Sequence, residues 1–128
     1  MKILIVDDEP DMTEMVGYTL RNQGFEVATA ANATEALNKA RVLLPDAIFM
    51  DLMLPDLDGT SVCEILQKCP STRYIPIIML TACATDATKL ISLHAGAVDF
   101  ITKPFSPRDL VARLQDVLTA RKQPDMNG

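Results

Sequence analysis

The chain has little that would commit it to a thiolate metal site, an export route, a membrane or a nucleic acid. It holds a single histidine, His94, and its three cysteines, Cys63, Cys69 and Cys83, form no CxxC pair. A zinc site built from nitrogen and sulfur donors is therefore not expected. An odd cysteine count without a pairing pattern reads as reduced thiols, and so as a cytoplasmic protein. Only residues 3–6 are continuously apolar before acids begin, too short a run for a signal peptide. No apolar run approaches the roughly 20 residues that a spanning helix needs, so no membrane partner is expected. The net charge of -5 argues against direct nucleic-acid binding, which wants a basic patch. Internal repeats and low-complexity stretches are missing as well.

What is there fits one domain. The length is 128 residues and 48% of them are apolar, enough for a real core. Two periodicities alternate along the chain. Short apolar runs at residues 3–6, 25–30, 47–50, 76–80 and 98–102 read as strands. Between them, apolar residues recur at helical spacing: Met12, Met15, Val16 and Leu20; then Ala33, Ala36, Leu37, Ala40 and Leu44; then Val62, Ile65, Leu66 and Cys69. Leu90, Leu93 and Ala97 mark a fourth helix over residues 86–95. Leu110, Val111, Leu114, Val117 and Leu118 mark a fifth, opened by Ser106 and Pro107. Gly24, Pro45, Pro70 and Gly96 stand where helices should stop. Five strands alternating with five helices imply an α/β fold, a parallel sheet with helices on both faces. The continuous runs near Ile3, Ala47 and Pro76 belong at its centre, and the interrupted run after Phe25 belongs at an edge.

In such a sheet every strand delivers its end to one rim, where ligands bind. Asp7, Asp8 and Glu9 follow the first strand, Asp51 the third, Thr81 the fourth, and Lys103 with Pro104 the fifth. Each has a plain alternative. The first three acids, before Pro10, would suit a helix cap. Asp51 opens a turn, with Pro55, Asp56, Asp58 and Gly59 after it. Thr81 alone is a small strand-end residue, and Lys103 alone a solvated lysine. Together they form a constellation. Crowded carboxylates repel, so they take up protons or a cation. Oxygen donors that leave room for water suit Mg²⁺. The ion, the Thr81 hydroxyl and Lys103 could then receive a phosphoryl group, for which an aspartate is a competent nucleophile.

The segments "ILIVDDEP", "DAIFMDLMLPDLDG", "IPIIMLTA" and "AGAVDFITKPFSPRDLVARL" resemble the receiver domain of a two-component response regulator. The resemblance spans residues 2–121 and leaves 122–128 as a C-terminal tail or the start of a linker. It implies a three-layer (βα)5 doubly wound, flavodoxin-like fold with strand order 2-1-3-4-5. It implies Asp51 as the phosphoacceptor, with Asp7, Asp8, Asp51 and the Met53 carbonyl holding Mg²⁺. It implies that Thr81 and Lys103 meet the phosphoryl oxygens, that the Lys103–Pro104 peptide is cis, and that Phe100 swings inward as Thr81 moves. The implied partners are a sensor histidine kinase or phosphotransfer protein and a downstream or fused effector. Such a protein is a self-modifying switch rather than a turnover enzyme. Met53 and Cys83, each two residues past a site residue, would shield the phosphoryl group from water.

The turn "LMLPDLDG" and the stretch "SPRDLVAR" most resemble receivers of winged-helix transcription regulators, which pair through the fourth helix, fifth strand and fifth helix. Lys89, Asp109 and Arg113 fit that charge pattern, whereas Ile91 and Val98 replace an expected arginine and acid, leaving a greasier face. Other readings remain. A metal-dependent phosphatase of small phosphoesters would want a second acid, and Asp51-Leu52-Met53 lacks it. A flavin or nucleotide carrier would want phosphate-cradling glycines where "VDDEPD" stands. A receiver-like scaffold that is never phosphorylated would have no need of these acids, Thr81 and Lys103.

Overall fold

The computed structural model describes residues 1–82 and 85–122. Its elements alternate without exception. They are β1 Lys2–Val6, α1 Pro10–Asn22, β2 Glu26–Ala30, α2 Ala33–Leu43, β3 Ala47–Asp51, α3 Gly59–Lys68, β4 Ile77–Thr81, α4 Asp86–His94, β5 Asp99–Thr102 and α5 Pro107–Lys122. The strands form one sheet in the order β2-β1-β3-β4-β5, as expected, and every neighbouring pair is parallel. The start of the 122–128 tail thus ends α5, and the rest of it lies outside the described residues, as does Cys83.

Strand alternation splits the apolar side chains into two cores. Leu4, Val6, Ile48, Met50, Ile77 and Met79 point to one face, under Ala33, Ala36 and Ala40 of α2 and Val62, Cys63 and Leu66 of α3. Ile3, Ile5, Phe49, Ile78 and Leu80 point to the other, under Val16 and Leu20 of α1 and Leu110, Leu114 and Leu118 of α5. Both faces of β1, β3 and β4 are therefore covered, which is why those strands read as unbroken apolar runs. Each fully buried leucine or isoleucine contributes about 1.5–3 kcal/mol. The alanine face of α2 lets that helix lie close to the sheet.

Two local features differ from the sequence reading. In α4 the apolar residues do not face the core. Leu90 and Leu93 are at least half exposed, and the buried side chain of that helix is Ser92, whose hydroxyl donates to the Thr88 carbonyl at 3.0 Å. Apolar spacing established the helix, but its orientation is set by the neighbours that happen to cover it. The second helix also stops earlier than its apolar pattern, at Leu43. Leu44 becomes its C-cap at φ 46, with its amide donating to the Ala40 carbonyl at 3.0 Å.

A left-handed leucine is costly, since its Cβ crowds the following carbonyl. Leu44→Gly is therefore expected to stabilise the protein by roughly 0.5–1 kcal/mol, once the greater freedom of glycine in the unfolded chain is subtracted. Urea unfolding checks this, and a lower midpoint for the variant would contradict it.

Candidate functional site

The rim at the C-terminal ends of the strands brings together the residues singled out from sequence. Parallel register sets Val6 beside Met50, Asp51 beside Leu80 and Thr81 beside Thr102, so the strand ends and the residues just beyond them emerge at one level. Asp7 is buried, Asp8 is exposed, and Asp51, the last residue of β3, is only 6% exposed. One carboxylate oxygen from each of Asp7, Asp8 and Asp51 lies within 4.8 Å of the others. Lys103 leans across them, its Nζ 2.9 Å from Asp7 Oδ2, 3.7 Å from Asp51 Oδ2 and 3.8 Å from Glu9 Oε1. Its own amide donates to the Thr81 carbonyl at 2.7 Å, which joins the β5 end to the β4 end. The Lys103–Pro104 peptide is cis.

The first acids are not spent on capping α1. Glu9 occupies the N-cap but makes no side-chain cap bond there. Asp7 turns inward instead: its Oδ1 accepts the Glu9 amide at 2.9 Å and its own amide donates to the Ala30 carbonyl at 3.1 Å. Asp51 Oδ1 accepts the Met53 amide at 3.2 Å.

Electrostatics make the crowding plain. Burial first, and then the negative charge of Asp7, push the Asp51 carboxyl up to about 6, against the lowering effects of the Met53 amide and Lys103. Burial pulls the Lys103 ammonium down, but its hydrogen bond to Asp7 and the charges of Asp51, Asp7 and Glu9 outweigh that, so its pKa is raised. The cation stays on, and the acids it faces are more numerous than it can neutralise. Oxygen donors held this close are a donor set for a hard divalent cation. Beside them a cavity of about 340 Å³ is lined by Asp8, Glu9, Asp51, Met53, Thr81, Ala82 and Lys103. A larger cavity, about 450 Å³, lies among Tyr74, Ile75, Pro76, Val98 and Val117, away from these acids.

The turn after β3 is tailored to the site. A Cβ on Gly59 would stand 2.3 Å from the Asp51 carbonyl oxygen and 2.9 Å from the Met79 methyl, so only glycine lets α3 begin here. The Gly59 amide donates to the Leu52 carbonyl at 2.7 Å, and Asp58 caps α3 by accepting the Ser61 amide at 2.8 Å. Asp56, read from sequence only as turn chemistry, reaches across to α2. Its Oδ1 accepts the Ala33 amide at 2.8 Å, and its Oδ2 accepts the Thr34 amide at 3.1 Å and the Thr34 hydroxyl at 3.0 Å. Glu9, passed over as one more acid in a run, lies within reach of Lys103. No local pattern betrays either contact, since both partners lie far away in the chain.

Phe100 and Pro104 are not gathered around the acids. They line a cavity of about 430 Å³ with Lys89, Asp109 and Arg113, and Lys89 Nζ stands 5.9 Å from the centre of the Phe100 ring. Arg113 Nη1 pairs with Asp99 Oδ1 at 2.8 Å within the same chain. Ile91 and Val98 are exposed. Among the described residues no helix is long and apolar enough to cross a membrane.

Comparison with known proteins agrees with this arrangement. Residues 3–115 match the model of the response regulator receiver domain. The chain is 44% identical over 117 residues to the alkaline phosphatase synthesis transcriptional regulatory protein PhoP of Bacillus subtilis, covering 91% of this chain and 48% of that protein. It is 41% identical over 114 residues to the DNA-binding response regulator MtrA of Mycobacterium tuberculosis, covering 89% of this chain and 49% of that protein. The chain thus spans about half the length of the curated relatives it matches. Among solved structures, a CheY-like response regulator receiver domain protein from Methanospirillum hungatei matches with a TM-score of 0.91 at 33% identity, over 97% of this chain and 98% of that one. The chemotaxis response regulator CheY4 of Vibrio cholerae matches with a TM-score of 0.87 at 35% identity, over 91% and 97%. Family model, relatives and fold agree, and the chain belongs to the response regulator receiver domain family of two-component signalling.

Proposed function

We propose that this receiver is switched by transfer of a phosphoryl group to Asp51. The observation that carries the reading is the convergence of Asp7, Asp8, Asp51 and Lys103 beside a cavity that Thr81 also lines. An Asp51 carboxylate oxygen attacks the phosphorus of a phosphohistidine; the P–N bond breaks, and its electron pair leaves with the imidazole, which takes a proton from solvent. Asp7, Asp8, Asp51 and the Met53 carbonyl would hold Mg²⁺, which supplies positive charge to the transferring oxygens. Lys103 already lies near the nucleophile and supplies a second cation. Thr81 ends β4 beside the cavity and offers a hydroxyl to the new oxygens. The product adds about -1.5 to -2 charge at pH 7, which draws Lys103 and Thr81 toward it.

The change would pass to the face of α4, β5 and α5, where Phe100 and Pro104 share a cavity with Lys89, Asp109 and Arg113. To act as a near-complete switch, phosphorylation must favour the active state by about 5.5 kcal/mol. The donor is a sensor histidine kinase or phosphotransfer protein. The output is a partner or an effector joined after the receiver, taken as residues 1–121, with 122–128 as tail or linker. The names of PhoP and MtrA, which describe transcriptional control and DNA binding, support a gene-regulatory output. A homodimer through α4, β5 and α5 is a further part of the proposal. There the Arg113–Asp99 pair within the chain and the apolar Ile91 and Val98 favour contact through greasy surface over a lattice of charges. A metal-dependent phosphatase is the weaker reading, since Met53 stands where it would need a second acid.

Incubation with Mg²⁺ and a small phosphodonor, read by intact mass, is expected to add one phosphoryl group per chain. The adduct should vanish with chelator and in Asp51→Ala. Repeated consumption of donor without an adduct would instead favour the phosphatase.

The Asp51 acid also predicts a pH dependence. Its folded-state pKa is raised from 3.8 to about 6, so folding favours the protonated form. That contribution is full below the unfolded value near 4 and is lost as pH rises through about 6. Metal-free Asp51→Asn, neutral throughout, should therefore be more stable than the wild type at about pH 7.5, by on the order of 3 kcal/mol. The gap should shrink by more than half at about pH 4.5. Urea unfolding in chelator measures both, and a gap independent of pH would contradict the assignment.

A further inference from the structure

Residues 52–58 join the phosphoacceptor strand to α3 and carry the carbonyl, that of Met53, expected to complete the metal's protein ligands. Two apolar residues of this turn, Leu52 and Leu54, pack partly buried against the core that includes Ala30, Ala33 and Ala36. Between them Met53 turns its side chain to solvent. A polar anchor from the turn to another element is the Asp56 carboxylate on the first turn of α2, with three accepted hydrogen bonds from Ala33 and Thr34.

That helix has no need of Asp56 for a cap of its own. Asn32 occupies its N-cap, accepts the Glu35 amide at 2.9 Å and donates back to Glu35 Oε2 at 2.9 Å. The Ala33 and Thr34 amides are helix-start donors with no partner inside the helix, and the acid that meets them comes from 22 or 23 residues away. The position of α2 is in turn tied to the acid site. The Ala30 carbonyl, just before the β2–α2 turn, accepts the amide of Asp7 at 3.1 Å. The β1, β2 and β3 ends are thereby stitched into one arc, and Asp56 is its link to the β3–α3 turn.

We propose that Asp56 is a positioning residue for the acid site: by clamping the β3–α3 turn to the first turn of α2, it fixes where the Met53 carbonyl stands relative to Asp51 and Asp7. The proposal rests on the receiver reading above and adds a residue to it. Asp56 touches neither the nucleophile nor the metal ligands; it acts through the backbone of its own turn. Ligand oxygens must be held in place before the ion arrives, because a donor left to wander loses affinity through the freedom it must surrender.

The test separates positioning from helix capping. Wild type, Asp56→Ala and Asn32→Ala, labelled with ¹⁵N and free of metal, are titrated with MgCl2 and followed by amide shifts, with urea unfolding in parallel. Hydrogen exchange of the amides in residues 52–58 is measured before metal is added. The clamp predicts faster exchange in that turn and Mg²⁺ binding weakened about three- to tenfold in Asp56→Ala, less than for loss of a direct outer-shell partner. Asn32→Ala should lower stability yet leave Mg²⁺ affinity within about twofold, since its cap bonds lie within α2. Equal weakening in both variants, or unchanged affinity in Asp56→Ala, would overturn the clamp while leaving the receiver reading intact. A wild type that shows no Mg²⁺-dependent shifts at Asp7, Asp8 or Asp51 would overturn the proposed metal-dependent switch and this inference together.

Discussion

Like charges forced together at one edge of a parallel sheet are the constraint on which the rest of this structure depends. Asp7 and Asp51 are both buried, and Asp8 offers an oxygen within 4.8 Å of theirs. Left alone, such a cluster would disperse or protonate. Lys103 keeps it together, bonded to Asp7 and lying 3.7 Å from Asp51. The balance is incomplete: burial first, and then the charge of Asp7, hold the Asp51 pKa up despite Lys103. A site so arranged holds a standing demand for positive charge, which a divalent ion would meet. The acid site therefore works against stability in the metal-free state, and the two apolar cores on either side of the sheet offset it.

The scaffold around that cluster is made of close approaches rather than large interactions. Gly59 lets α3 start against the Asp51 backbone, where a methyl group would stand 2.3 Å from a carbonyl oxygen. The Lys103 amide ties β5 to β4, and the Asp7 amide ties β1 to β2. None of these bonds is strong alone, since a net hydrogen bond contributes about 0.5–1.5 kcal/mol. Their value lies in direction. Each fixes the end of one strand relative to the next, so the acids meet at a set distance instead of sampling a range.

Much of this was legible in the sequence, and the features that were not have a common cause. The apolar runs that became β1, β3 and β4 are unbroken because both faces of those strands are covered, and the acids and hydroxyl at their ends, with the lysine after β5, named the rim. Periodicity also found every helix. It could not say which way α4 would turn, because Leu90 and Leu93 look like core residues until the neighbours are known to leave them uncovered. Nor could it foresee a left-handed Leu44, which has no glycine or asparagine to announce it. The Lys103–Asp7 bond joins residues 96 apart, and the Asp56 bonds join residues 22 and 23 apart. Such contacts arise from the arrangement of loops in space, and residue type at either end only permits them.

The poor anchoring of α4 has a thermal consequence. Ser92 is its one buried side chain, and Leu90, Ile91 and Leu93 already expose half or more of their surface, so lifting or rotating this helix against the sheet uncovers less apolar surface than opening either core. The heat capacity of a conformational step scales with the apolar area it exposes. A step confined to α4 would then carry an enthalpy and entropy that drift less from cold to warm than those of unfolding, and the van't Hoff line for its two states would bend less than the line for unfolding the two cores.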